Sequence, residues 1–440
     1  MRVVVGTVKY FKKRALGGCS LSKLSGQGYK MSKWKVIWTY IKSLLKSILL
    51  KSVSFLIPAY RFSKDYKVFV LGDDGSKQSQ NYHYFIGYYD IDPFNELTQK
   101  IVCHRVSRKY SNQVLPEIGD IGLLLVSTGE FEKLNDSRAL NWQLGTRLQW
   151  LDREHVIYND IKDGYQVSRK LNVVSHKVVK QYARAFWAIS PNKKLAASLN
   201  FSRIRERRPG YGYRGKSTDG DAERLTLTNL DSGDVTYSIN LNEILNAINY
   251  DSKGADLYLN HITWSPNSKK LLTIFHLSEL EAGSRKVYPV LYDLVTSTWT
   301  LIDDSGFFSH NTWIDDSNIL AYRQCEDNPK YCIWNIDAGW NAIQKSMPLF
   351  DGHPNLLNRD GDVVVDSYPD RLGKMGLYLG SISSEEKYKS IGFVMSPAKF
   401  SGALRCDLHP RISENSSKII CDIPTIKGRR IIVIEENYDK

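Results

Sequence analysis

Residues 401–437, SGALRCDLHPRISENSSKIICDIPTIKGRRIIVIEEN, contain the signals that decide the fold. A short segment carrying His409 is followed by a polar turn at 413–417 and a β-rich run at 418–423. A glycine-containing hairpin at 427–429 then leads into a closing strand at 431–434. Short β-rich runs separated by tight polar turns predict antiparallel strands. This order of strands and turns is typical of one blade of a β-propeller.

The polar turn recurs along the chain. Ser-Pro-Asn occurs at 190–192 and again at 265–267, each time before an apolar β-rich run. Looser copies raise the total to seven turns, near positions 95, 152, 190, 265, 315, 358 and 413. Their spacing brackets the ~40–50 residues expected for a four-stranded blade. We therefore predict an all-β, seven-bladed β-propeller over residues 66–440, with an insertion in the long gap between 190 and 265.

The excess of basic over acidic residues is confined to the beginning of the chain. The net charge is +13, but residues 1–64 contain fourteen of the 60 Lys and Arg and no Asp or Glu. The rest of the chain contains 46 basic and 47 acidic residues, whose charges nearly balance. A basic surface spread over the folded domain is therefore not expected, which argues against a nucleic-acid partner.

The N-terminal segment divides into two predicted parts. Residues 1–32 read as a basic, disordered arm, in which Met31 is an alternative start. Residues 33–58 predict a basic amphipathic helix, since Lys35, Lys42 and Lys46 share one face opposite Trp34 and Trp38. Such a helix either packs on the propeller or lies in an anionic membrane surface through residues 33–57. The second interpretation predicts a cytoplasmic protein that is peripheral at the inner membrane.

Export and membrane-spanning signals are weak. Leu16-Gly17-Gly18-Cys19 resembles a lipoprotein cleavage box, but the preceding YFKKRA lacks an apolar core, so no signal peptide is expected. The sequence contains no run of ~18 uncharged apolar residues, so we do not expect a membrane span. The six cysteines have no framework spacing, which favours reduced thiols.

Four histidines occupy equivalent places in successive repeats. His261, His310, His353 and His409 each lie four or five residues before a repeated turn. We expect their side chains to meet at the mouth of the central channel. They could bind a divalent metal, zinc or manganese, with Cys406 as a thiolate ligand, or form a hydrogen-bonded or catalytic set. Because Cys406 and His409 differ by three, they face opposite sides of a straight strand, and joint ligation would need a bulge.

Two further stretches favour binding of an acidic sugar. The segment Asn141-Trp142-Gln143 combines aromatic and amide side chains, which suit pyranose rings and hydroxyl groups, although aromatic packing between blades would give the same pattern. In the insertion, four arginines at 203–208 precede a loop with Tyr211 and Tyr213. These arginines suit bidentate capture of a carboxylate, unless they form a solvated loop.

Several motifs together resemble a known family. They are the Ser-Pro-Asn turns, GYYD (87–90), NWQLGTRLQWLDREHVIYND (141–160), SLNFSRIRERRPGYGY (198–213), SHNTW (309–313), DGHP (351–354), VVDSYPD (364–370) and RCDLHPR (405–411). The combination resembles the seven-bladed propeller polysaccharide lyases of the oligogalacturonate-lyase and ulvan-lyase type over residues 80–440. The resemblance implies β-elimination on an acidic, uronate-containing bacterial polysaccharide. It also implies that Arg203 contacts substrate and that His310, His353, Cys406 and His409 lie near the metal ligands.

The sequence also departs from the family pattern. Trp187 stands where a Tyr is expected, and Asn141 or Trp142 stands where a catalytic His is expected. Because Trp cannot transfer a proton, proton transfer would fall to other groups, such as His261, Tyr211 or Tyr213. The predicted catalytic residues are His261 and Tyr211, together with Arg203, which the resemblance implies. The residues assigned to substrate binding are Asn141, Trp142, Gln143, Trp187, Asn200, Arg208 and Tyr213. The alternative is a non-catalytic glycan-binding or scaffold protein of capsule or O-antigen biosynthesis.

Overall fold

The computed structural model describes residues 58–73, 75–76, 79–110, 116, 118–208, 210–253, 255–278, 285–343 and 346–437. The predicted arm and residues 33–57 of the predicted amphipathic helix lie outside these residues. Within the described part of the chain, no helix is long and apolar enough to cross a membrane.

The described chain forms a seven-bladed β-propeller, as predicted. Its first two strands belong to the last two blades: β1 (Tyr60–Phe62) is the outermost strand of blade 6, and β2 (Tyr66–Leu71) is the outermost strand of blade 7. Strand β2 pairs with the C-terminal strand over its full length, so the two ends of the propeller close the ring together. The propeller therefore begins at β1, ahead of the start predicted at residue 66.

Blades 1 to 4 follow in chain order, each from the innermost strand outwards. Blade 1 contains β3 (Tyr82–Phe85), β4 (Phe94–Asn95), β5 (Lys100–Ser107), β6 (Gly119–Leu125) and β7 (Phe131–Ser137). Blade 2 contains β8 (Gln149–Trp150), β9 (His155–Lys162), β10 (Tyr165–Asn172) and β11 (Lys177–Tyr182). Blade 3 contains β12 (Ala188–Ile189), β13 (Leu195–Ser198), β14 (Arg224–Asn229) and β15 (Val235–Asn240). Blade 4 contains β16 (Asp256–Trp264), β17 (Lys270–Ser278), β18 (Arg285–Asp293) and β19 (Thr298–Leu301).

Blades 5 to 7 complete the ring. Blade 5 contains β20 (Phe308–Trp313), β21 (Asn318–Cys325), β22 (Asn328–Asn335) and β23 (Gly339–Ala342). Blade 6 adds β24 (Asn355–Leu356), β25 (Asp362–Asp366), β26 (Lys374–Ser381) and β27 (Lys389–Met395) to β1. Blade 7 adds β28 (Arg411–Ile412), β29 (Lys418–Thr425) and β30 (Gly428–Glu436) to β2.

The part of the chain that the structure describes contains few helices, and they are short. Helix α1 (Phe201–Arg207) lies between β13 and β14, and helix α2 (Leu241–Ala247) follows β15. Single 3₁₀ turns occupy Ser79–Asn81 and Gly402–Leu404. The insertion predicted between 190 and 265 is thus confirmed: it holds α1, α2 and the Gly-Tyr loop.

The repeated polar turns join the first and second strands of the blades. In the turn that begins at Ser190, the Ser190 hydroxyl donates to Asn192 Oδ1 at 2.7 Å and accepts from the Leu195 amide at 2.9 Å. The turns that begin at Ser265 and Ser413 repeat this pattern. Neighbouring turns are also linked, because the Asn192 amide donates to the Ser268 hydroxyl at 3.0 Å. At each of these turns a backbone amide donates to the Ser hydroxyl instead of to a neighbouring strand, and the Asn side chain accepts from that hydroxyl. These hydrogen bonds explain why Ser and Asn recur at the turns.

Hydrophobic clusters fill the spaces between neighbouring blades. One cluster joins blades 6 and 7 through side chains such as Leu377, Ile391 and Ile432. Another joins blades 7 and 1 through Ile431, Val433 and Ile101. Because each blade presents one apolar face to each neighbour, the ring has a series of interfacial cores around an open channel.

The channel is crossed by an excursion of blade 1. Residues 86–93 leave the sheet between β3 and β4, which both pair with β5. Asp422 of blade 7 accepts hydrogen bonds from the Ile86 amide at 2.8 Å and the Gly87 amide at 3.2 Å. Arg411, fully buried, donates to the Tyr88 carbonyl at 3.0 Å and to Asp422 at 3.1 Å. A buried ion pair therefore holds the excursion in place.

We predict that Asp422→Ala destabilises the propeller by about 3–5 kcal/mol, because Arg411 would be left as an uncompensated buried charge. Urea unfolding followed by tryptophan fluorescence measures this loss. The control Asp337→Ala, at an exposed turn, should change stability by no more than about 0.5 kcal/mol. A loss below about 1 kcal/mol for Asp422→Ala would show that the ion pair does not hold the excursion.

Candidate functional site

The four histidines predicted to converge do meet in the channel, and two tyrosines of the excursion lie among them. The Tyr88 ring lies 4.9 Å from the ring of His261 and 5.0 Å from that of His409. The Tyr89 ring lies 5.1 Å from His353, whose ring is 4.1 Å from that of His310. Each blade from 4 to 7 thus supplies one imidazole, from within its innermost strand (His261 and His310) or from just before it (His353 and His409).

Local backbone geometry turns two of these histidines towards the channel. His261 has φ +58°, and the register of β16 shifts between Asn260 and Ile262, which is a β-bulge. His409 has φ +48° just before β28. A left-handed conformation at a non-glycine residue is unfavourable and is typical of functional positions held by their surroundings. Here it redirects side chains that a straight strand would place elsewhere.

His261 and Tyr88 form a hydrogen-bonded pair. His261 Nε2 and the Tyr88 hydroxyl are 2.8 Å apart, and His261 Nδ1 is buried without a hydrogen-bond partner among the described residues. Burial, reinforced by Arg208, lowers the pKa of His261 well below its usual value, so the imidazole is neutral at pH 7. Burial raises the pKa of Tyr88 well above 10, so its hydroxyl stays protonated. The pair therefore offers a neutral base and a neutral acid side by side.

Arg208 supplies the positive charge beside this pair. Its guanidinium carbon lies 3.9 Å from the centre of the Tyr211 ring, and Nη2 donates to the Tyr211 hydroxyl at 3.4 Å. Among the described residues, no carboxylate lies within ion-pair distance of Arg208. The Tyr211 ring lies 6.3 Å from both His261 and Tyr88. A half-buried guanidinium without a carboxylate partner is a ready site for an anion.

These groups line one cavity of about 820 Å³ at the channel mouth, which we call the reaction cavity. Its lining residues are Tyr88, Tyr89, Arg208, His261, Ile274, His276, Val287, Phe307, Phe308, Ser309, His310, Asn311, Asp351 and Tyr368. A second cavity of about 860 Å³ opens beyond Tyr89 and is lined by the ends of the innermost strands. Tyr89 lines both, and its hydroxyl donates to the Asn311 carbonyl at 2.8 Å. The excursion therefore divides the channel in two.

Carboxylates orient two of the histidines. His310 Nδ1 lies 3.0 Å from Asp351, whose other oxygen accepts from the Ser309 hydroxyl at 2.7 Å. His353 Nδ1 lies 2.9 Å from Asp366, which also accepts from the backbone amides of His353 and His409. Burial alone would raise the pKa of Asp366, but these donors outweigh it and lower the pKa. Asp366 is thus an anion that accepts a hydrogen bond from His353 Nδ1–H, and the lone pair of this imidazole lies on Nε2.

One group of residues could hold a metal ion. Ligand atoms of His353, Asp407 and His409 all lie within 4.8 Å of one another. His409 Nδ1 donates to the Gly87 carbonyl at 2.7 Å, which leaves Nε2 as a lone pair. His409 Nε2 and Asp407 Oδ1 are both buried without a hydrogen-bond partner among the described residues. Two imidazoles and a carboxylate, each with a lone pair available, fit a divalent transition metal.

Cys406 does not belong to this group. Its side chain packs in a hydrophobic cluster with Phe85, Trp142 and Leu404. Burial raises the pKa of Cys406 to about 12, so the thiol is protonated at pH 7 and is a poor metal ligand. Residues 405–410 do not form a strand, so the alternation expected of a straight strand does not apply to Cys406 and His409, and Asp407 takes the position at the candidate metal site. His310 lies beside His353 but outside the group of three.

Several residues predicted from the sequence lie apart from the reaction cavity. Arg203 on α1 pairs with Asp256 at 2.6 Å and with Glu223 at 3.4 Å, so its charge is already offset. Asn200 caps α1 by accepting from the Arg203 amide. Arg208, and not Arg203, lines the reaction cavity together with His261. A contact between Arg203 and a substrate stays a prediction.

The predicted sugar-binding aromatics and amides are mostly buried. Trp187 is fully buried, stacks on Phe201 at 5.5 Å and meets the His261 ring edge-on at 5.1 Å. Tyr213 is 1% exposed and also stacks on Phe201. Gln143 donates to the Arg405 carbonyl at 2.7 Å. Packing and hydrogen bonds within the protein account for the burial of these side chains, so no ligand is needed to explain their positions.

Asn141 and Trp142 line a neighbouring cavity of about 800 Å³ together with Tyr211. The Asn141 side chain donates a hydrogen bond at 2.9 Å to the carbonyl of Gly212, which also lines this cavity. A role of either residue in sugar binding stays a prediction.

Sequence reasoning missed the tyrosines and carboxylates of the site. Tyr88 and Tyr89 fall within GYYD, but no periodicity shows that they leave their strand. The carboxylates had a usable signal, because Asp351 and Asp407 each precede a histidine by two residues. A spacing of two places side chains on one face of an extended chain.

Comparison with solved structures supports the same fold. An oligogalacturonate lyase from Vibrio parahaemolyticus aligns with a TM-score of 0.55 and 11% identity, covering 84% of this chain and 96% of the lyase. An oligogalacturonate lyase in complex with manganese aligns with a TM-score of 0.56 and 13% identity, covering 82% and 92%. The chain shares the fold of oligogalacturonate lyases. No family model and no curated protein matches the sequence.

We predict that the purified chain binds about one divalent cation and that a chelator lowers its melting temperature by mass action. Asp407→Asn should lose most of the bound metal, because the amide offers no anionic ligand. Cys406→Ser should retain it, which separates the two candidate ligands. Elemental analysis and thermal unfolding measure both effects, with His176→Ala at an exposed position as the control. A metal-free chain that melts identically in chelator would contradict the site.

Proposed function

We propose that the chain is a carbohydrate-active propeller that binds a uronate-containing polysaccharide in the reaction cavity and cleaves it by β-elimination. The observation that carries this proposal is Arg208, a guanidinium that has no carboxylate partner among the residues that the structure describes, in the same cavity as the neutral His261–Tyr88 pair. The shared fold with oligogalacturonate lyases and the family motifs support the same chemistry.

The three groups match the needs of elimination from a uronate. Arg208 offsets the carboxylate charge, which grows as the proton next to the carboxylate leaves. His261 takes the C5 proton, the C5–H electron pair forms the C4=C5 bond, and the C4–O4 bond breaks. Tyr88 gives its proton to O4. The 2.8 Å contact between His261 and Tyr88 then returns the proton and resets the pair.

Tyr88 supplies the hydroxyl that is absent at position 187. Trp187 and Tyr88 both contact the His261 ring, at 5.1 and 4.9 Å. A hydroxyl group thus reaches the same imidazole from blade 1 instead of blade 3. Replacement of the family Tyr by Trp187 is therefore compatible with catalysis.

A divalent cation, manganese or zinc, would be held by His353, Asp407 and His409. When bound, such an ion supplies positive charge that offsets anionic oxygens nearby. The Arg405 guanidinium pairs with Asp407 at 2.7 Å and keeps this carboxylate in place.

We predict that at least one uronate glycan gives a rising near-ultraviolet absorbance with the wild-type chain, because elimination creates a C4=C5 bond conjugated to the carboxylate. Tyr88→Phe should lower kcat about 10²–10⁴-fold by removing the acid. Arg208→Ala should lower kcat/KM strongly, since charge offset matters most in the transition state. The control Tyr165→Phe, at an exposed position, should leave turnover unchanged.

The two functional interpretations give different results. Glycan binding that depends on Arg208 but yields no unsaturated product would favour a non-catalytic glycan-binding protein. Full activity of Tyr88→Phe would show that another group protonates the leaving oxygen.

A further inference from the structure

Two arginines of helix α1 bind one carboxylate. Arg203 and Arg207 lie four positions apart, so they share one side of the helix. Arg203 Nη2 lies 2.6 Å from Asp256 Oδ1, and Arg207 Nη2 lies 2.6 Å from Asp256 Oδ2. Asp256 therefore uses both of its carboxylate oxygens to bind the helix that directly precedes Arg208.

The strand on the other side of these contacts is β16, which begins at Asp256 and carries His261. Glu223 joins the same helix and strand. Its Oε1 accepts a hydrogen bond from the Leu259 amide at 2.9 Å, and its Oε2 lies 3.4 Å from Arg203 Nε. These polar contacts therefore join α1 to the segment of β16 that leads into the bulge at His261.

The position of Arg208 follows from that of α1. The Arg208 amide donates to the Ile204 carbonyl at 2.8 Å, which continues the helical pattern. The loop after Arg208 lies so close to the helix that a Cβ atom at Gly212 would be 2.3 Å from the Phe201 carbonyl oxygen. Arg208 and the neighbouring Tyr211 therefore keep a fixed place relative to the helix.

Apolar packing alone does not set the orientation of α1. Phe201 and Ile204 are fully buried in a core cluster that includes side chains of blades 3 and 4, but hydrophobic contacts are non-directional. A helix of seven residues is also too short to be stable by itself. Ion pairs between a carboxylate and guanidinium groups have a defined geometry. They fix the rotation of the helix and its register along β16.

We propose that Asp256 is a positioning residue for the elimination reaction. Through its two ion pairs with α1, it holds Arg208 at a fixed distance from His261. This inference rests on the proposed function, in which Arg208 offsets the uronate charge and His261 takes the proton. Asp256 lies outside the lining of the reaction cavity, so it acts through the helix and not on the substrate.

Modification of Arg208 by phenylglyoxal, an arginine-selective reagent, tests the positional claim without a substrate. The full wild-type and Asp256→Asn chains are treated in parallel, and mass spectrometry identifies the modified residues. We expect Arg208 to react several-fold faster in Asp256→Asn, because an amide offers one acceptor oxygen and no charge to the two arginines. Arg205, which is exposed, should react at the same rate in both chains. An unchanged rate at Arg208 would overturn the inference.

Kinetics test the consequence for the reaction, with the uronate glycan that the wild-type chain cleaves in the absorbance assay. Asp256→Asn should lower kcat about 10²-fold, the usual cost of a small misplacement of a reacting group. The melting temperature should fall by no more than about 3 °C, since partly exposed ion pairs contribute little to stability. Asp256→Glu should recover most of the lost kcat, because it returns a carboxylate.

A matched control lies in the same blade. Asp293 is a similarly exposed carboxylate that pairs with Lys270 and not with α1. Asp293→Asn should therefore leave both kcat and the rate of modification of Arg208 unchanged.

The outcomes separate this inference from the proposed function. If the wild-type chain cleaves no uronate glycan, the proposed function fails and the role of Asp256 in the reaction fails with it, whereas modification of Arg208 still decides the positional claim. If the wild-type chain is active and Asp256→Asn keeps its kcat, the proposed function stands and the inference is overturned. A large fall in the melting temperature without recovery in Asp256→Glu would show that Asp256 only stabilises the fold, which also overturns it.

Discussion

The buried ion pair between Arg411 and Asp422 holds the blade 1 excursion across the channel, and the rest of the site depends on it. The two side chains are fully buried and 3.1 Å apart, and between them they bind the backbone of Ile86, Gly87 and Tyr88. A buried charge pair stabilises a structure only when its remaining donors and acceptors are satisfied. Here the backbone of the excursion supplies most of those partners, and Arg411 Nη1 is left without one among the described residues. The same interaction therefore joins the last blade to the first and fixes the position of Tyr88.

Placing two tyrosines among four histidines sets the chemistry of the channel. Burial of these side chains favours their neutral forms, so the pKa of His261 is lowered and the pKa of Tyr88 is raised. Negative charge is kept where donors converge, as on Asp366. Arg208 is left without an anionic partner among the described residues, so a bound carboxylate would complete the site. The combination of a neutral imidazole and a neutral phenol with a guanidinium that lacks a carboxylate partner among the described residues is what distinguishes the cavity from ordinary blade packing.

The sequence predicted the architecture well because each blade repeats the same local solution. Ser and Asn recur at turns where their side chains satisfy backbone donors, and the histidines lie four or five residues before those turns. The site was harder to predict because its members leave the repeat. Tyr88 lies where β3 is interrupted, and His261 lies on a bulge with φ +58°. Arg203 and Arg208 cannot be ranked from spacing alone, because only the folded chain shows which of them has a carboxylate partner. Strand β1 was missed because it is short and pairs with a blade far along the chain.

A crystal structure of the chain with a bound uronate oligosaccharide tests the central claim most directly. The carboxylate should lie within hydrogen-bond distance of the Arg208 guanidinium, with the Tyr88 hydroxyl and His261 Nε2 on the reacting side of the uronate ring. Such a complex would show that the excursion builds the binding site. An oligosaccharide bound in the cavity beyond Tyr89, or one that leaves Arg208 in contact only with Tyr211, would contradict it.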